Sequence, residues 1–309
     1  MKLDATNEDT LVRQLTRGLP AGSHVFAGAG VDDCAVIRVK GTASLQLLKT
    51  DCVLEGVHFL RSHPPDRVGW KALCRAISDI AASGGKPDAA VITLAMPGDL
   101  STDWPLQFQR GLRRAARRFG VSIVGGETAR SPRGIFVSVA LTGWVERRHL
   151  VLRSGGKAGD LLFVTGRLGG AVARDYGGRH LSLIPRVAEV QWLVQHTKVH
   201  AMMDLSDGLG ADLQRLADAS RAGYEIDLDA IPRTRGCDVR SAISDGEDYE
   251  LLLAVPPRSA KNLPQAWRRQ FPRLPLTCIG RLTSDVRART PLTPGYSHFS
   301  GCQSAPVSG

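Results

Sequence analysis

With 309 residues, 43% of them hydrophobic, the chain has material for substantial cores, and its length favours two domains over one. No apolar stretch reaches the roughly 20 residues of a membrane span, and MKLDATNEDT lacks the apolar segment of a secretory signal, so a cytoplasmic protein is expected. The net charge of +10 admits acidic partners, but no nucleic-acid module or aromatic interleaving accompanies it, so nucleic-acid binding is not expected.

In chain order, Asn7 caps a predicted helix carrying Leu11, Leu15 and Leu19 that Pro20 and Gly22 end. Cys34 to Val39 and Leu45 to Thr50 read as a hairpin turning at Gly41 to Ala43, with Asp51 at the end of its second strand. Val68 to Ala82 has a helical rhythm, with Asp79 near its end and Arg75 at i−4 as an exposed partner. Ala89 to Met96 is a strand. The next helix places Arg110, Arg113, Arg114, Arg117 and Arg118 on one face, read as a solvated face on a core-packed helix. Val121 to Val124 reads as a short buried strand, Gly125-Gly126 after it either as a tight turn or as flexible backbone presenting Glu127 and Thr128, and Ile135 to Val145 as a longer strand.

A basic, Gly-rich stretch, ERRHLVLRSGGKAGD, marks a domain boundary near residue 150. Beyond it come a strand at Leu161 to Thr165, a helix around Val187 to Val194, and a helix running to Ala222. Strands follow at Tyr224 to Leu228, Glu250 to Val255 and Cys278 to Arg281. Alternating strands and helices argue an α/β (mixed α+β) chain. Cys34, Cys52, Cys74, Cys237, Cys278 and Cys302 form no CxxC pair and read as reduced, mostly buried thiols.

Asp32, Asp33, Asp51, Asp79, Glu127, Asp204 and Asp207 each sit in a short segment flanked by Gly, Ser or Thr at the end of an apolar run. Two carboxylates about 4 Å apart repel by roughly 4 kcal/mol at an effective dielectric near 20, so a converged cluster demands cations. Hard oxygen ligands select Mg²⁺, which recruits polyphosphate. Asp204-Leu205-Ser206-Asp207-Gly208 enters a helix, where a Gly lets an anion approach backbone amides; helix capping is the plainer reading of either Asp alone. No GxxxxGK[ST] loop, GxGxxG turn, kinase HRD or DFG pair, GxSxG elbow or HExxH helix is present.

In order along the chain, VDDCAVI (31–37), TDCVLEGVHF (50–59), WKALCRAISDIAASGGKPD (70–88), VGGETARSP (124–132), TGWVERR (142–148), LRSGGKAGDLLFVTG (152–166), MDLSDGLGADL (203–213), DGEDYELL (245–252) and GYSHF (295–299) resemble the thiamine-monophosphate kinase family. That family lies in the aminoimidazole ribonucleotide synthetase-like superfamily. The resemblance implies a two-domain PurM-like fold: an N-terminal ATP- and metal-binding domain (1–150) whose sheet pairs across a homodimer, and a C-terminal α/β domain (151–309). It implies transfer of the ATP γ-phosphoryl group to thiamine monophosphate with several Mg²⁺ ions and no covalent enzyme intermediate. By position it implies Asp33, Thr50, Asp51, Asp79, Glu127, Asp204 and Asp207 as metal ligands, with Asp32 behind them. Gly126, Arg153 and Ser206 fall on the nucleotide, and His58, Glu247 and Tyr296 on the thiamine phosphate.

The chain departs from the family pattern at Val31, Lys49, Ala76, Glu127 and Asp245. Lys49 and Asp51 share one face of their strand, so an ammonium is expected to pair with that carboxylate and displace a Mg²⁺ ion. These departures keep two alternatives in view: a homologue that binds nucleotide or thiamine phosphates without turnover, and another ATP-dependent synthetase of the superfamily.

Overall fold

The computed structural model describes residues 7–172 and 178–299, so Cys302 lies outside the described residues. Two sheets organise the chain. The first runs β1 (Val25–Ala27), β2 (Ala35–Arg38), β3 (Ser44–Leu54), β6 (Phe136–Glu146), β4 (Lys86–Met96), β5 (Ser122–Arg130) in spatial order. All its pairings are antiparallel except β4 with β5. The second is antiparallel throughout, ordered β8 (Ala201–Asp204), β10 (Leu251–Val255), β7 (Leu161–Thr165), β11 (Leu276–Thr283), β9 (Gly223–Ile226).

One face of the first sheet is covered by α2 (Pro65–Ala82), which α3 (Asp103–Phe119) crosses in turn. Val68, Leu73, Ala76, Ile77 and Ile80 of α2 are buried in that core with Leu47, Val139 and Leu141 of the sheet. The helices meet backbone to backbone. A methyl group added at Gly69 would lie 2.0 Å from the Phe108 carbonyl oxygen, and one at Gly111 would lie 1.7 Å from that of Asp66. The α3 arginines are all exposed, while Leu112, Ala115 and Ala116 face inward, as the sequence pattern requires.

Among the described residues, no helix or strand covers the opposite face of this sheet. Leu48 pairs with Thr142, Val91 with Ala140 and Phe136 with Leu54, a register that puts all three apolar side chains on that outer surface, where they are exposed.

Around the second sheet, α5 (Leu209–Ser220) and α6 (Val239–Ser244) share one core with the sheet. On the other side, α4 (Val187–His196) and α7 (Leu263–Gln270) share another, which Ala81 and Ala82 of α2 join.

Three expectations need correction. The segment read as a short buried strand followed by a turn or flexible backbone is the nine-residue β5, exposed along its whole length, and Gly125 and Gly126 continue the strand. A methyl at Gly126 would lie 2.0 Å from the Ile92 carbonyl oxygen, so this glycine lets β5 approach β4. The first helix, α1 (Glu8–Thr16), is capped by the Asn7 side chain as expected, but ends before Leu19. Asp51 lies inside β3, which continues to Leu54.

Candidate active site

Polar residues on α2 recur at Lys71, Arg75, Ser78 and Asp79, the i, i+4, i+7, i+8 spacing that stacks side chains along one flank of a helix. This flank faces the second half of the chain. Lys71 Nζ lies 2.6 Å from Glu247 Oε2 and 2.8 Å from His180 Nδ1. Arg75 reaches Glu247, at 3.6 Å, and also Asp51, its Nε donating to Oδ2 at 3.0 Å. Ser78 Oγ donates to Asp204 Oδ2 at 2.5 Å.

Beside that flank, carboxylate oxygens of Asp33, Asp79 and Asp204 all lie within 4.8 Å of one another. They come from the loop before β2, the end of α2 and the end of β8. Arg153 pairs with Asp33, and its backbone N–H donates to Asp32 Oδ2 at 2.8 Å. Lys49 Nζ lies 2.8 Å from Asp79 Oδ1. Burial, with the Asp33 charge next, pushes the Asp204 carboxyl up to about 7, and burial raises Asp79 well above the usual carboxylate range against the pull of Lys49. Asp33 Oδ2 is buried and has no hydrogen-bond partner. Three hard oxygen donors with an unsatisfied lone pair among them fit a small divalent cation.

Next to the cluster lies a second group. Burial would raise the Glu247 carboxyl, but Lys71 and then Arg75 hold it down at about 2. Its backbone is left-handed, φ 57°, as is that of Tyr249, φ 52°, so the 245–250 loop takes a conformation that side chains resist. His58 is buried; its Nδ1 accepts from the Leu54 N–H at 3.1 Å. Burial, then Arg75, lowers it to about 3, so the ring is neutral and its proton sits on Nε2.

The other expected site residues are placed differently. Arg75 pairs with Asp51 and not with Asp79, and Lys49 pairs with Asp79 and not with Asp51. Asp207, just ahead of α5, is 2.5 Å from Nη1 of Arg215 within that helix, beside the buried Asp212, which also pairs with Arg215. Thr50 pairs with Ala140 and Glu127 with Thr93, which puts both side chains on the outer, uncovered face of the sheet. Ser206 accepts the Glu247 N–H through its carbonyl, and Asp207 accepts the Tyr296 N–H in the same way. Tyr296 packs edge-on against His298, whose ring is 5.7 Å from that of His58.

Sequence reading missed Lys71 and Ser78, and took Arg75 as exposed. The signal was present: four polar residues at helical spacing in the otherwise apolar stretch from Val68 to Ala82. Asp212 was also missed, although it lies inside a motif block, five residues after Asp207.

Residues 31–145 match the family model for the N-terminal domain of AIR synthase related proteins, and residues 157–289 match that for the C-terminal domain. The thiamine-monophosphate kinase of Rhodopirellula baltica is 37% identical over 266 residues, covering 81% of each chain. That of Escherichia coli K12 is 32% identical over 303 residues, 87% of this chain and 91% of the relative. This chain belongs to the thiamine-monophosphate kinase family. The solved structure of AaThiL complexed with AMPPCP and TMP superposes on the kinase with a TM-score of 0.82 at 31% identity, covering 97% of this chain and 99% of that one. Escherichia coli HypE, a hydrogenase maturation protein, shares the fold at 22% identity, with a TM-score of 0.66 and coverage of 77% and 80%. The two-domain mixed α/β architecture of the kinase is therefore that of its superfamily, and among its described residues no helix is long and apolar enough to cross a membrane.

Proposed function

We propose that the kinase transfers the γ-phosphoryl group of ATP to the phosphate of thiamine monophosphate, giving ADP and thiamine diphosphate. The bond between the γ-phosphorus and the β,γ-bridging oxygen breaks, and a new bond forms from an acceptor phosphate oxygen, in line. The observation that supports this reading best is the meeting of Asp33, Asp79 and Asp204 from segments far apart in sequence, with Asp33 Oδ2 buried and unpartnered.

Asp33, Asp79 and Asp204 would hold Mg²⁺, with Asp51 and Asp207 at the margins of the cluster, each engaged by an arginine. Mg²⁺ bound there supplies charge neutralisation between two anionic reactants. The chain's own groups do the rest. The acceptor phosphate is largely ionised near neutral pH, so no general base is required. Arg153, beside Asp33, offers a fork for nucleotide phosphate, and Ser206 leads into the N-terminus of α5, where backbone N–H groups favour anions. Gly126 is assigned to the nucleotide side by its motif. His58, Glu247 and Tyr296 take the thiamine side: a neutral ring N–H donor, a carboxylate for the cationic ligand, and an aromatic face.

Residues 1–150 form the ATP, metal and dimerisation domain in this reading, and 151–309 the C-terminal domain. The bare face of the first sheet is the homodimer interface. Thr50 and Glu127 lie on that face, so any metal contact they make belongs to a site shared between subunits.

The test is purified protein with Mg²⁺, ATP and thiamine monophosphate, followed for both products. Thiamine diphosphate and ADP are expected in equal amounts, with turnover reduced at least a hundredfold in D33N and D204N. Binding of both ligands without product would overturn the catalytic assignment in favour of a binding-only homologue.

A further inference from the structure

β3 puts Lys49 and Asp51 on its inner face, toward α2, and Thr50 on the outer one. The Lys49 stem runs into the carboxylate cluster and ends 2.8 Å from Asp79 Oδ1. Its charge is felt first by Asp79, then by Asp51, and also by Asp33. The neighbouring acids are already engaged in other ways. Asp51 is held by Arg75, Asp33 by Arg153 through one oxygen, and Asp204 by the neutral donor Ser78.

We infer that Lys49 is a fixed cation built into the magnesium site, occupying a position that a divalent ion would otherwise take beside Asp79. Four carboxylates, Asp33, Asp51, Asp79 and Asp204, face three permanent cations, Lys49, Arg75 and Arg153. The acids of this set without a cation of their own are Asp204 and, through its free oxygen, Asp33. The chain therefore assembles its anionic reactants with fewer metal ions than its acidic side chains have room for. An ammonium differs from Mg²⁺ in a way that matters here. It neutralises one oxygen of Asp79 and donates hydrogen bonds, yet it supplies no coordination to phosphate oxygens, so it acts as a positioning residue; an ion held by Asp33, Asp204 and the other Asp79 oxygen would supply that coordination.

The inference rests on reading the cluster as the metal site, and counting ions separates the two ideas. Mn²⁺ bound per chain is measured by electron paramagnetic resonance of the free ion, in the presence of a non-hydrolysable ATP analogue, for wild type, K49S, K49Q and K49R. We expect K49S and K49Q to bind one more Mn²⁺ per chain than wild type, and K49R to keep the wild-type number. K49Q nearly preserves the side-chain volume, so it carries the test should K49S not fold. Equal, non-zero counts in wild type and the neutral variants would overturn the role of Lys49 and leave the metal site standing. No bound Mn²⁺ in any of them would overturn the metal site itself.

Discussion

The Lys71 ammonium, fully buried on α2, lies 2.6 Å from Glu247 in the loop leading to β10, so this ion pair ties α2 to the second half of the chain. Arg75 contacts the same carboxylate. Leaving a buried charge without any counter-ion costs about 3–5 kcal/mol; Arg75, at 3.6 Å, still partly compensates Glu247 when Lys71 is removed, so the lower end of that range applies. K71M should lower stability by that order in urea unfolding, and K71M with E247Q should recover part of it. The single variant should also weaken binding of thiamine monophosphate more than binding of ATP, read by calorimetry with each ligand alone.

Acid sensitivity follows from two buried histidines. Burial holds His58 and His180 down at about 3, with Arg75 adding to the effect at His58 and Lys71 at His180, against an ordinary value of 6.5. At these two rings the unfolded chain binds protons between pH 6.5 and 3 that the folded chain refuses, so their contribution to stability falls as pH falls through that window. Glu247, held at about 2 against 4.5, extends the loss to lower pH with the same sign. The raised Asp204 and Asp79 carboxyls bind protons in the folded chain first and act with the opposite sign, so the histidine share is read as a difference: in urea titrations from pH 6 to pH 4, H180Q should lower the slope of stability against pH, relative to wild type, by about one proton's worth, roughly 1.4 kcal/mol per pH unit. An unchanged slope would contradict the neutral buried ring.

The crossing of α2 and α3 has no space for a side chain at its centre. G111A would force a methyl against the Asp66 carbonyl, and the helices would have to separate. Overpacking of this kind costs about 1–3 kcal/mol, and the gain in helix propensity, about 1 kcal/mol, does not offset a clash with backbone. A lower thermal midpoint is expected from calorimetry.

The uncovered face of the first sheet predicts an assembly. Leu48, Val91 and Phe136 expose apolar surface there, and β5 presents an unpaired edge. Sedimentation equilibrium should give a dimer for the wild type and a monomer for L48E combined with V91E. A monomeric wild type at micromolar concentration would remove the interface.

Most of the architecture was legible because the period of the apolar residues was clean. The strand at Leu161 to Thr165 appears with those bounds, and the helix ending at Ala82 gains only three residues at its start. β5 was misread because a strand exposed on both faces has no alternation to display. Its apolar pair, Ile123 and Val124, imitates a short buried run, and its glycines imitate a turn. At the site, the motifs located the acids, but pairing was invisible along the chain. Asp79 has Arg75 one helical turn away, yet it takes Lys49 from β3, because α2 directs Arg75 toward Asp51 and Glu247. Three-dimensional neighbours outcompeted a sequence neighbour, since burial makes each charge seek the best available partner.

Lys71, Arg75, Ser78 and Asp79 project from a single rod, so their mutual bearings are set by helical pitch and by nothing local to the ligands. Adding one residue ahead of Lys71 would swing all four by about 100° at once, turning ammonium, guanidinium, hydroxyl and carboxylate away from their partners together. The centre is therefore tolerant of changes in the loops around it and brittle to any change in the length of that helix.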